Sequence, residues 1–82
     1  MVERSSRDDV VHNRIQELRT ERGMSRQELA EALGVHYQTV GYLERGESAP
    51  GLHLALRLAE LFGEPVEGIF SLHPFGTDVN RP

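Results

Sequence analysis

Apolar residues recur along this chain at helical spacing in five short stretches, the first four of them each followed by a glycine. Ile15 and Leu18 share one face of a first helix that opens at Asn13, whose side chain can cap it. Arg19 and Arg22 favour its carboxyl end, and Gly23 closes it. Ser25 and Glu28 have the spacing of a capping box, with Met24 placed as a hydrophobic staple, so a second helix starts there. Leu29, Ala30 and Leu33 are its buried stripe, and Gly34 ends it after about two turns. After apolar Val35, His36 stands at the next cap position, and Tyr37 to Arg45 reads as a third helix with Val40, Leu43 and Glu44 on one side. Gly46 stops that helix, and residues 47–51 form a loop punctuated by Pro50 and Gly51.

The longest amphipathic segment follows, Leu52 to Phe62, in which Leu52, Ala55, Leu56, Ala59 and Phe62 repeat at helical spacing. Leu54, Leu58 and Leu61 widen its apolar face. Gly63 ends it, Pro65 pre-sets the next turn, and Val66 to Phe70 gives a short fifth helix. The expected architecture is all-α, a five-helix bundle over residues 13–71, with a polar tail at 1–12 and an irregular tail at 72–82. With 82 residues there is room for one modest core. No internal repeat is visible.

Composition narrows the function classes. The chain has no cysteine, which removes disulfides and thiolate metal sites. No apolar run is long enough for a membrane span, and the charged amino-terminal stretch has no apolar leader region, so a cytoplasmic protein is expected. The formal net charge is −4, which is unusual for a nucleic-acid binder, because phosphate neutralisation supplies much of such a protein's affinity. A local basic face can nevertheless work on an acidic domain. All nine basic residues are arginine, which suits bidentate contacts to phosphate and guanine and equally fits codon bias.

The informative stretch is Ser25 to Gly46, two short helices joined by a tight turn. Helices joined in this way cross steeply, and the second projects from the core with one face free. On that second helix Val40 and Leu43 point in, whereas Tyr37, Gln38 and Tyr42 point out. A glutamine suits bidentate contact with adenine, and the tyrosines offer rings to thymine methyl groups.

From Asn13-Arg-Ile-Gln-Glu-Leu-Arg through Gly23-Met-Ser-Arg-Gln-Glu-Leu-Ala, Leu33-Gly-Val, Gln38-Thr-Val and Leu43-Glu-Arg-Gly46 to Pro50, Leu54-Ala-Leu, Ala59 and Phe62, the chain resembles the Cro/cI-type, or XRE, helix-turn-helix family. The resemblance spans roughly residues 13–71. It implies a lambda-repressor-like fold and a transcriptional regulator, expected to be a repressor, that binds double-stranded operator DNA as a homodimer on a palindromic site. It further implies base contacts from Tyr37, Gln38 and Tyr42, and backbone contacts from Ser25, Arg26, His36, Thr39 and Arg45. Arg19 and Glu44 match a structural ion pair between the first and third helices. Three positions depart from the usual pattern: His36 at the cap, Gly41 inside the reading helix, and Glu47 where lysine is frequent. Gly41 either lets DNA approach closely or relieves crowding between the tyrosines.

No other chemistry competes. His12, His36, His53 and His73 are too scattered to converge on a metal, so no metal site or cofactor is expected. No phosphate loop, nucleophile elbow or carboxylate pair suggests catalysis. Leu61, Ile69, Phe70, Leu72 and Phe75 exceed what one small core can cover and form the expected dimer interface. The acidic total, Glu47 and that apolar end support a second reading, an antitoxin or adaptor that uses the same fold to bind a protein.

Overall fold

The computed structural model describes residues 11–75; of the tails expected over 1–12 and 72–82, residues 1–10 and 76–82 lie outside the described residues. In chain order it contains β1 (His12–Asn13), α1 (Ile15–Glu21), α2 (Arg26–Leu33), α3 (Tyr37–Glu44), α4 (Leu52–Phe62), α5 (Val66–Ile69) and β2 (Phe70–Ser71). The five expected helices are therefore present and in order. No helix among the described residues is long and apolar enough to cross a membrane.

Local chemistry sets the helix boundaries. The α2 capping box is complete: Ser25 Oγ accepts from Glu28 N at 3.0 Å, and Ser25 N donates to Glu28 Oε1 at 2.8 Å. At the other end Gly34 takes a left-handed φ of 76°, a conformation that costs other residues, and Val35 N turns back to Ala30 O at 3.0 Å. Ile15, Leu18, Leu29, Ala30, Leu33, Val40, Leu43, Leu58, Phe62 and Ile69 then bury one continuous core. Met24 and Val35, which flank α2, pack against its edge. Every α1–α4 helix thus donates an apolar stripe to the same interior, which is what fixes their mutual angles.

Three expectations are corrected. First, Asn13 does not open α1; it lies in β1, which pairs antiparallel with β2 in the register His12 with Ser71 and Asn13 with Phe70. Phe70 accordingly leaves the fifth helix, which stops at Ile69, and regular structure includes His12. Asn13 still serves the start of α1, because its Oδ1 accepts from Ile15 N at 3.0 Å. Second, the α4 stripe is rotated: Ala55, Leu58 and Phe62 are buried, while Leu52 is 73% and Leu56 51% exposed. Leucine stands on most sides of this helix, so periodicity alone cannot set its phase; contact with the rest of the core does. Third, Ile69 is fully buried in the core and is unavailable to a second subunit.

Candidate nucleic-acid interface

The α3 helix is held from behind along its length. Val40 and Leu43 are buried, and α2 packs directly against it. At its amino end His36 Nδ1 accepts from Gln38 N at 3.2 Å, so the imidazole does the work of the usual hydroxyl cap. The carboxyl end has two fastenings. Gly46, at φ 76°, turns the chain so that Glu47 N reaches Tyr42 O at 2.9 Å, and Asn13 Nδ2 donates to Leu43 O at 2.9 Å. Both carbonyls lie in the last turn, where helical donors run out, and Leu43 O also accepts from Gly46 N at 3.1 Å. What remains on the outer side is Tyr37, Gln38 and Tyr42, the tyrosines about half exposed.

Beneath that face lies a carboxylate shared by two guanidinium groups. The Glu44 side chain is 1% exposed; its Oε2 accepts from Arg19 Nε at 2.6 Å and its Oε1 from Arg26 Nε at 2.9 Å. Arg19 also donates through Nη1 to Met24 O at 2.8 Å, which ties α1 to the turn preceding α2. Three helices thus meet at one acid. Two cations against one anion leave a positive excess at the floor of the face, and Arg26, 42% exposed, brings it to the surface. The ion pair expected between Arg19 and Glu44 is present in this geometry, with Arg26 as an additional partner that sequence reasoning placed only against phosphate.

Arg26, Tyr37, Gln38, Gly41, Tyr42 and Arg45 line a shallow concavity of about 210 Å³ between the start of α2 and the outer side of α3. Its far wall is Arg45, whose guanidinium lies 5.3 Å from the Tyr42 ring centroid. Glu47 accepts from Arg45 Nε at 3.1 Å and from Nη2 at 3.2 Å. That hydrogen bond, more than any other influence, holds the Arg45 pKa above its ordinary value. Tyr37 at the near wall stacks on His36, with ring centroids 5.5 Å apart.

The expected contact residues thus divide. Tyr37, Gln38, Tyr42, Arg26 and Arg45 converge on one surface, with His36 and half-buried Thr39 at its margin. Ser25, expected to contact the DNA backbone, has its N–H already bonded to Glu28. The apolar interface set is scattered too. Phe70 and Leu72 line a groove with Val11, Leu61 sits between α2 and α4 beside Arg57, and Phe75 rests near the Arg14 guanidinium. Asn13 was read only as a cap of α1, and Gly41 and Glu47 only as departures from the family pattern, without their contacts to Leu43 O and Arg45. The offset of seven between Gln38 and Arg45 was a readable clue to a common face, whereas Asn13 reaches α3 from a distant part of the chain.

A helix-turn-helix family profile matches residues 15–69, from the first residue of α1 to the last of α5. This chain belongs to the XRE-type helix-turn-helix family of DNA-binding transcriptional regulators. Similar proteins include a helix-turn-helix-type transcriptional regulator of uncharacterised role from Methanothermobacter thermautotrophicus, 46% identical over 63 residues, covering 76% of this chain and 91% of the relative. The Bacillus subtilis regulator YgzD is 40% identical over 62 residues, covering 76% of this chain and 94% of its own. In fold the XRE-type domain is similar to a crystal structure from Bacteroides fragilis described as a candidate DNA-binding protein. That similarity has a TM-score of 0.68 at 24% identity over 74% of this chain and 98% of the other.

Proposed function

We propose that this XRE-type regulator reads operator DNA by laying α3 along the major groove, and that it represses transcription by occupying its site. The observation that carries the reading is the outer face of α3: two tyrosines and a glutamine on a helix whose inner face, both ends and one flank are fastened to the core. A helix is about 10–12 Å across with its side chains, and the major groove is about 12 Å wide. In this pose Gln38 would bond adenine N6 and N7, and Tyr37 and Tyr42 would meet thymine methyl groups and neighbouring edges. Arg26, His36 and Thr39 at the margin suit the flanking phosphates. Net acidity does not oppose this pose, because the floor of the face holds two guanidinium groups over one carboxylate.

A palindromic site read by a homodimer fits the same picture, with Phe70, Leu72 and Val11 as the apolar patch offered to a second copy, and Leu61 and Phe75 apart from it. The test is a salt titration of binding to a promoter fragment from the protein's own gene. Sequence-specific binding that weakens steeply with salt supports a gene regulator, since released counterions drive the association. Failure to prefer that fragment over random duplex contradicts it and favours the protein-binding alternative.

A further inference from the structure

Gly41 and Glu47, the two residues that depart from the family pattern on α3 and just beyond it, both act on Arg45. We propose that Arg45 reads a guanine in the major groove, seated by Gly41 and oriented by Glu47, and does not clamp a phosphate. This rests on the reading of α3 as the groove-entering helix.

The placement follows from helical geometry. Seven residues turn through nearly two full circuits, so Arg45 projects within roughly 20° of Gln38. It belongs to the outer face by angle, although it stands at the helix end. Side chains on a helix lean towards its amino terminus, which carries the Arg45 guanidinium back over the preceding turn. There it meets Gly41. A Cβ built on Gly41 would stand 3.2 Å from Arg45 Nη1, and the glycine is buried on the outward side by this side chain. An alanine there would push the guanidinium outward by a few tenths of an ångström, and a larger side chain would displace it further.

Glu47 then fixes the rotation of the fork. The left-handed turn at Gly46 brings the carboxylate alongside, where it takes the Nε and Nη2 edge. The Tyr42 ring bounds the other side. The Nη1 end stays without an acceptor among the described residues and opens on the concavity shared with Gln38. Two parallel N–H bonds from the ends of the fork match guanine O6 and N7. A phosphate fits worse, because it would have to share the guanidinium with a carboxylate already bonded to it and would be repelled by that charge. Guanine presents neutral acceptors, and beside them the carboxylate holds the donor in position without opposing the ligand.

Selection of bound duplexes from a randomised pool tests this, followed by affinities for the selected site and its single-base variants. The proteins are wild type, Arg45→Lys, Arg45→Ala, Gly41→Ala and Gln38→Ala, with thermal melts in parallel. Wild type should prefer guanine at one base pair of each half-site by roughly tenfold or more. Arg45→Lys should lose that preference while keeping the salt dependence, since the charge remains but the fork does not. Gly41→Ala should weaken the same preference without lowering the melting temperature, an outcome that a purely structural role for the glycine would not give. Gln38→Ala should relax a different base pair. The proposal is overturned if Arg45→Lys selects the wild-type sequence, or if Arg45→Ala weakens all sequences alike and lowers the salt slope by about one. A wild-type protein that enriches no sequence overturns the groove-reading helix itself, and this assignment with it.

Discussion

Arg19 Nε lies 2.6 Å from Glu44 Oε2, and the carboxylate that receives it is almost wholly shielded from water. A charge in that setting is tolerable only with its partners in place. Removing them leaves it buried and uncompensated, whereas breaking an exposed pair costs little. Arg19→Met leaves Glu44 with Arg26 alone and Met24 O without its donor, and should lower the unfolding free energy by about 2–3 kcal/mol in urea titrations, short of the full cost of an unpaired buried charge. Arg26→Ala, which removes the more exposed of the two arginines, should cost about 1 kcal/mol or less. Equal losses from the two would contradict the assignment of Arg19 as the principal partner.

Two glycines of the reading element should respond in opposite ways. Gly46 has φ 76°, so Gly46→Ala forces a side chain into the left-handed region at a cost of about 1–2 kcal/mol. It also disturbs the turn that positions Glu47. Gly41 is helical, and Gly41→Ala gains up to about 1 kcal/mol of helix propensity against displacement of a flexible arginine tip. Chemical denaturation of both variants checks the contrast.

Burial separates the apolar residues of the carboxyl end. Ile69→Ala should lower stability by about 2–5 kcal/mol, because it empties a fully enclosed site. Leu72→Asp lies on a residue 68% exposed and should leave the melting temperature nearly unchanged. Its effect should instead be seen in sedimentation velocity, as a shift of self-association to higher concentration. A dimer that survives Leu72→Asp intact would move the subunit contact elsewhere, to the exposed Leu52 and Leu56 among other places.

On DNA, Gln38→Ala should remove about 1–3 kcal/mol of discrimination at one base pair and little at the others. Arg26→Ala should weaken binding to every sequence by a similar factor and flatten the salt dependence. Competition binding with a set of single-base variants separates the two patterns.

The parts that were legible in the sequence are those whose causes are local. Ser25 and Glu28 announce the start of α2 because the capping box needs only that spacing, and Gly34 and Gly46 announce helix ends. The inward set on α3 was equally readable, since Val40 and Leu43 leave one phase open. The α4 helix was misphased because leucine stands on most of its sides and the choice belongs to its neighbours. The pairing of β1 with β2 joins segments nearly sixty residues apart, and two-residue strands carry no alternation to detect. At the candidate site, the Arg19–Glu44 pair came from the resemblance, whereas the second arginine on Glu44 depends on how α2 crosses α3. The Arg45–Glu47 contact depends on the direction of a turn that only a left-handed glycine sets.

Amide chemical-shift mapping on titration with the selected duplex measures most directly whether α3 is the surface that meets DNA. Perturbations should be largest at Tyr37, Gln38, Tyr42 and Arg45, with smaller ones at Arg26 and almost none along the exposed leucines of α4. A footprint centred on α4 or on the β1–β2 pair, with α3 unmoved, would contradict the account.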